Sequence, residues 1–240
     1  MNNIPKHVAI IPDGNMRWSK KHKCGTVTAY EKGMNVVEQI AVYGNDIGIR
    51  YITVFVMSHE NLMKRGKAWL DDFFSLVPTI IREFNKKHIV ELFKVQTIGD
   101  LSRLPISIQT ELNELVQKTQ SNCGLTLILA IAYSGKEEIV YAANKIIRER
   151  TCGSNDNDKP NTLITCEEFS KYMYLNGIPP PDLLIRSANE YRVSGFLLWY
   201  LAYAELIFIP ELWPDVTVDR FAEVIDCYRK KIRTFGSIRP

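Results

Sequence analysis

Three runs of this chain are apolar on both sides of a strand: Val8–Ile11, Tyr51–Met57 and Leu125–Ala132. A strand without polar alternation must be covered on both faces, and a parallel sheet between helices supplies both covers. The intervening stretches are helix-compatible. Tyr30–Asn45 collects Val36, Val37, Ile40 and Ala41 on one side, and Trp69–Lys87 carries Trp69, Phe73, Phe74, Val77, Ile80, Ile81 and Phe84. Those aromatics fit a packed core or the wall of a hydrophobic tunnel. Ile106–Gln120 and Lys136–Arg150 read as further helices, and a last one from about Val218 aligns Phe221, Val224, Ile225, Tyr228 and Ile232. Shorter strands are expected within Ile89–Ile98 and at Leu183–Ile185, and Thr165 with Glu168 forms a capping box for a helix through Leu175. The alternation predicts an α/β fold with a central parallel sheet flanked by helices. Thr151–Asn161 is the one loop-like stretch of low hydrophobicity and is too short for a linker, so residues 1–240 read as one domain.

Charge and motifs remove several functions. A net charge of +3 without a basic block interleaved with aromatics gives no reason to expect a nucleic-acid partner. The five cysteines, at 24, 123, 152, 166 and 227, form no C-x-x-C pair, and their odd number suits a reducing, cytoplasmic setting. The longest uncharged runs, Val193–Ala204 and Gly124–Gly135, fall short of the ~20 residues that span a bilayer. Phe196–Ala204 is still greasy enough to line something apolar. Glycine-rich dinucleotide and Walker loops and a nucleophile elbow are absent, and the four histidines lack metal-ligand spacing. Asp71-Asp72 lacks the second acidic cluster of an Asp-rich diphosphate motif.

Ligands of parallel sheets bind beyond the carboxyl ends of the strands. Three polar loops occupy those ends: Asp13–Arg17, Ser58–Asn61 and Arg186–Ser194. In the first, Pro12 and Gly14 break a strand and a helix pattern resumes from Arg17, a strand–turn–helix cradle that fits either plain turn chemistry or an anion site. Asp13 inside it would repel a bare phosphate but suits Mg²⁺ bridging to one. Lys20, Lys21 and Lys23 behind it read as a solvated face. Arg186, Arg192 and Ser194 together make a diphosphate grip, since guanidinium binds phosphate oxygens bidentately. Lys64-Arg65-Gly66-Lys67 has the composition of a flap.

Taken in order, HVAIIPDGNMRW, SHEN, IGDLSRLP, GLTL, DLLIRSANEYRVSGFLLWYLAYAEL and LWPD resemble the cis-prenyltransferases of the undecaprenyl diphosphate synthase type, nearly end to end. The resemblance implies a hydrophobic tunnel, a homodimer, isopentenyl and allylic diphosphate substrates, and a lipid product that brings the protein against a membrane surface. Carried over by position, Asp13 is the Mg²⁺-associated acid. Gly14, Asn15, Met16 and Arg17 cradle the donor diphosphate, and Ser58 and Asn61 stand near the reacting carbons. Arg186, Arg192 and Ser194 hold the acceptor diphosphate, and Glu205 is a second metal ligand.

Departures from the family pattern gather on the donor side. Thr26 replaces a phosphate-binding arginine, Tyr30 a histidine, Met16 a glycine, Leu62 a tryptophan, Lys64 an arginine and Ala68 a glutamate. Tyr191 and Gly195 also differ, and Thr234 takes an arginine's slot with Arg233 and Arg239 close by. Condensation of isopentenyl diphosphate therefore stands beside two alternatives, irregular coupling of two dimethylallyl units and a non-catalytic supporting subunit. Asp13 is expected on a solvent-facing turn whose carboxylate folding does not need. Val56, near the end of the second strand, is expected to restrict products to short or medium length.

Overall fold

The computed structural model describes residues 3–152 and 163–231. Six strands form one wholly parallel sheet. They are β1 (His7–Ile11), β2 (Tyr51–Ser58), β3 (Lys94–Ile98), β4 (Thr126–Tyr133), β5 (Leu183–Arg186) and β6 (Glu205–Phe208), in the order β3-β4-β2-β1-β5-β6. The helices are α1 (Asn15–His22), α2 (Thr26–Ile47), α3 (His59–Lys64), α4 (Lys67–Lys86), α5 (Ile106–Thr119), α6 (Gly135–Cys152), α7 (Cys166–Ser170) and α8 (Val218–Arg229). From β1 the chain passes to β2 and on to the edge strand β3, inserts β4 between those two, and then returns to place β5 on the other side of β1. That reversal makes the crevice beyond the ends of β1 and β5 a topological switch point.

Alternate side chains of each strand enter two separate cores. Val8, Ile10, Val54, Leu127 and Leu129 meet residues of α2, α4, α5 and α8, while Ala9, Ile11, Phe55, Ile128 and Ala130 face the opposite layer. Phe196 and Leu197 seal that opposite layer, with the Phe196 ring stacked on Phe55 at 4.5 Å. The greasy 196–204 stretch thus covers the far face of the sheet. On that side the buried Glu138 carboxylate accepts from Tyr133 Oη (2.5 Å), Tyr200 Oη (2.8 Å) and Tyr174 N (2.7 Å). Burial pushes its pKa up.

Several expected boundaries move. The helix after Gly14 begins at Asn15, and the third strand begins only at Lys94, after a 3₁₀ turn at His88–Glu91. Ser58–Asn61 is a helix start, with Ser58 Oγ capping Asn61 N at 3.0 Å. Only half of the Thr165 capping box forms, because Glu168 turns its carboxylate to Arg150, and α7 ends at Ser170. The edge strand β6 has no counterpart in the sequence reading. Most of the 151–161 stretch, together with Ile232, Arg233, Thr234 and Arg239, lies outside the described residues. Among the described residues no helix is long and apolar enough to cross a membrane.

His7 pins β1 to its surroundings without solvent contact. Its Nδ1 lies 2.7 Å from the Pro179 carbonyl, which can only accept, so Nδ1 carries the proton and Nε2 accepts from Thr53 Oγ1 at 2.8 Å. Burial lowers its pKa to about 4, below the ordinary 6.5. The unfolded chain therefore binds the extra proton first as pH falls, and the stabilisation present above pH 6.5 is lost toward pH 4. The loss amounts to about 2–3 kcal/mol. Urea unfolding of wild type and His7→Gln should show the stability difference between them shrinking by that amount over this window. A constant difference would mean that His7 is not held neutral.

Candidate active site

Gly14 sets the first wall of the site. Its φ of +104° is a left-handed value, and an added Cβ would lie 2.9 Å from Leu212 Cδ2 and 3.0 Å from Ala188 Cβ. Only glycine turns the chain here so tightly between β1 and α1. No side chain caps α1 and its first turn carries no acidic residue, so no side chain takes up the leading N–H groups, and the helix dipole there favours an anion. Asn15 donates from Nδ2 to the Pro12 carbonyl at 2.9 Å, whereas its Oδ1 is buried without a partner. The next residue but one, Arg17, donates to the Ala188 carbonyl at 2.9 Å.

Asp13 and Arg186 join the ends of β1 and β5, where Ile11 and Arg186 are in register. Arg186 is 3% exposed, and its Nη2 and Nε both reach Asp13 Oδ2, at 2.5 and 3.1 Å. Its Nη1 donates to the Arg192 carbonyl and to Ser194 Oγ at 2.8 Å. The carboxylate side of the pair is 40% exposed, and both Arg186 bonds land on Oδ2, so Oδ1 takes no bond from Arg186. The loop after β5 carries Ala188, Asn189 and Ser194 at φ of 69°, 60° and 49°. Left-handed backbone at the two residues other than asparagine costs roughly 1–2 kcal/mol each, strain held at a site where side chains must be aimed. Backbone bonds from Ala188 to the Glu211 carbonyl (2.7 Å) and from Asn189 to the Ile209 carbonyl (3.1 Å) hold the loop in place.

These groups share one cavity of about 730 Å³ with Ser58 and Asn61. Its polar end gathers Asp13, Gly14, Asn15, Met16, Arg17, Ser58, Asn61, Arg186, Arg192 and Ser194, all ten expected there from the sequence. Its apolar part lies against α4 and α5, lined by Phe73, Val77, Phe84, Ile108, Leu112 and Leu115, with Val56 and Leu129 from the sheet. The α4 aromatics serve as core and wall at once, since Phe73 is buried and also lines the cavity.

Glu205 does not join this group. It opens β6 in register with Leu183, at the amino-terminal end of the sheet. Asp13 lies beyond the carboxyl ends, at least three strand residues or about 10 Å away. The expected Asp13–Glu205 pair around one metal is therefore not formed within a protomer. The sequence reading gave no binding role to Glu60, Arg65, Ser134, Lys136 or Glu190, which also line the cavity. Ser134 and Lys136 follow the carboxyl end of β4, so the rule that found the other three loops reaches them too. Five cations (Arg17, Arg65, Lys136, Arg186, Arg192) face three carboxylates (Asp13, Glu60, Glu190) along the lining, a balance that favours an anionic ligand.

The family described as "Putative undecaprenyl diphosphate synthase" matches residues 11–236. The ditrans,polycis-undecaprenyl-diphosphate synthase ((2E,6E)-farnesyl-diphosphate specific) of Micrococcus luteus is 36% identical, over 98% of this chain and 92% of that protein. An isoprenyl transferase of Agrobacterium fabrum is 37% identical, over 99% and 94%. Among solved structures, lavandulyl diphosphate synthase from Lavandula x intermedia in complex with dimethylallyl diphosphate superposes with a TM-score of 0.87 at 32% identity, covering 98% of this chain and 99% of that one. A probable undecaprenyl diphosphate synthase from Campylobacter jejuni gives 0.80 at 28%, covering 99% and 100%.

The ion pair corrects one expectation about Asp13. Its carboxylate compensates a buried guanidinium, so removing it is not neutral for folding. Breaking a fully buried pair costs ~3–5 kcal/mol, and partial exposure of Asp13 reduces this to about 1–2 kcal/mol. Asp13→Ala should lower the denaturant midpoint accordingly, and Asp13→Asn, which keeps an acceptor oxygen, should lower it less. Unchanged midpoints in both variants would show that water replaces the carboxylate at no cost.

Proposed function

This chain belongs to the undecaprenyl diphosphate synthase family of cis-prenyltransferases, and from that premise we propose that it condenses isopentenyl diphosphate with an allylic diphosphate. The observation that carries the reading is two cationic grips at the polar end of a single apolar cavity. We read residues 1–240 as one domain, since strands from both halves of the chain share the sheet.

The donor diphosphate is assigned to the first amides of α1 and to Arg17, and the acceptor diphosphate to Arg186, Arg192 and Ser194. The site's donor set fits Mg²⁺, which commonly takes one or two carboxylates plus substrate phosphates. Asp13 would be the residue to hold it, and the unpartnered Asn15 Oδ1 lies in the same cradle. When bound, the ion would neutralise charge building on the leaving diphosphate. In the reaction the allylic C–O bond breaks and its electron pair leaves with the diphosphate. The acceptor's double bond attacks the allylic carbon, and a proton is lost to form the new double bond. Ser58 and Asn61, fixed to each other by the α3 cap, flank that reacting region. The chain's contribution is positioning and charge stabilisation away from water.

A homodimer is supported by the β6 edge, where no further strand pairs among the described residues and Leu206 is 45% exposed beside Glu205. Irregular coupling of two dimethylallyl units is a second reading. It is favoured by the donor-side departures together with the likeness to the lavandulyl synthase. Dimethylallyl diphosphate supplied alone discriminates, because only the irregular reaction yields a branched or cyclised product from it.

Purified protein given labelled isopentenyl diphosphate, Mg²⁺ and allylic primers of increasing length should release elongated cis products. Asp13→Ala should lower turnover by several orders of magnitude, beyond what its lost stability explains at temperatures where it stays folded. Elongation by no primer at any Mg²⁺ concentration would reject the reading.

Product length follows from the walls. Val56 lines the cavity from β2, and overfilling a packed wall costs ~1–3 kcal/mol. Short or medium products are expected from wild type, and Val56→Ala should shift the distribution to longer chains on chromatography. An unchanged distribution would place the limit on other residues, such as Leu112 or Leu115 of α5.

A further inference from the structure

Glu190 connects two arginines that the proposed function gives to different substrates. Its Oε1 accepts from Arg17 Nη2 at 3.3 Å, and its Oε2 accepts from Arg192 Nη1 at 2.5 Å. Arg17 comes from α1 and Arg192 from the loop after β5, so one carboxylate spans the donor and acceptor sides. The carboxylate side chain is 26% exposed, whereas the two arginines are 51% and 64% exposed, so both reach in to it from solvent. Arg17 is also bonded to the Ala188 carbonyl, two residues before Glu190. The loop backbone is fixed through Ala188 and Asn189, which keeps Glu190 at this place.

We infer that Glu190 is a positioning residue, an internal counter-anion shared by the donor and acceptor diphosphate sites that couples their occupancy. The inference rests on the assignment of Arg17 and Arg192 to two diphosphates. A diphosphate approaching either arginine meets a guanidinium already bonded to a carboxylate, with that negative charge beside it. The ligand must displace Glu190 before it can take both guanidinium donors. Because the same carboxylate guards both arginines, the first diphosphate bears the cost of moving it and the second binds without that cost. Such a shared barrier gives positive coupling between two ligands, reciprocal by thermodynamic linkage. Glu190 also keeps the two guanidinium groups oriented toward a common point, where donor and acceptor must meet.

Glu190→Gln keeps the size and an acceptor oxygen but removes the charge. Calorimetry of the full chain with inorganic pyrophosphate and Mg²⁺ should show about three- to tenfold tighter binding to Glu190→Gln than to wild type, the size expected of two partly exposed ion pairs. Isopentenyl diphosphate should bind wild type more tightly when a non-ionising allylic thiolodiphosphate is present, and this enhancement should shrink toward one in Glu190→Gln. A merely structural Glu190 predicts the opposite sign, weaker pyrophosphate binding in the variant. Equal or weaker binding in Glu190→Gln with an unchanged melting temperature overturns the inference, as does an enhancement that survives the substitution. If neither protein binds pyrophosphate or the allylic analogue, the assignment of the arginines to diphosphates falls, and the inference with it.

Discussion

The rest of the site depends on one buried guanidinium. Arg186 closes an otherwise apolar strand and is nearly inaccessible, a position no charge holds without compensation. Its compensation comes from three places: the Asp13 carboxylate after β1, the Arg192 carbonyl and the Ser194 hydroxyl. Satisfying this one group therefore locks the turn after β1 against the loop after β5. Both substrate loops take their relative position from it. The parallel register of Ile11 with Arg186 brings the two ends together, and the ion pair fixes their side chains. Proximity in the sheet thus becomes orientation in the site, which is what an enzyme acting by positioning requires.

The same division explains how the molecule separates greasy from polar work. Alternating strand residues build one core under the 196–204 stretch and another under α2, α4, α5 and α8. The second remains partly unfilled, because α4 and α5 leave a channel between themselves and the sheet. A cavity on that face opens at the carboxyl ends, where the charges are, so an apolar chain and its charged head share one path. The opposite face carries stacked aromatics and the triply bonded Glu138, and the cavity beside it, about 480 Å³ between Tyr51, Ile98, Tyr174 and Ile178, includes none of the residues of the polar rim.

The strands and the rim were legible in the sequence because both obey local rules. Two-sided apolar runs mark β1, β2 and β4, and polar loops at their carboxyl ends mark the ligand. What escaped depended on tertiary context. β6 is four residues long and partly exposed, and its apolar Leu206–Ile209 follows so closely on the greasy 196–204 stretch that it does not stand out as a separate strand. Glu205 reads as a metal ligand from its motif, and the register of β6 is what places it at the amino-terminal end of the sheet, apart from Asp13 within one protomer. Asp13 read as a dispensable turn carboxylate because its partner lies 173 residues away. Glu190 was hidden for a related reason: a glutamate among loop arginines gives no sign that one of its partners comes from α1.

The donor-side departures acquire physical sense in the same context. Tyr30 packs edge-on against Trp69 and Phe73, and burial raises its pKa, so it presents a neutral hydroxyl where the family has an imidazole. Thr26 opens α2 and does not line the cavity, so no cation is restored from that position. Arg65 does line it, stacked over the Trp69 ring at 5.1 Å. Stacking on an aromatic face orients a guanidinium for about 0.5–1 kcal/mol without neutralising it. Arg17 and Arg192 differ, because Glu190 already takes part of their charge. Among the described residues no carboxylate pairs with Arg65, so its charge is directed at the cavity undiminished. An aromatic-mounted cation thus stands beside the neutral Tyr30 hydroxyl, and its charge adds to the attraction of the lining for an anion.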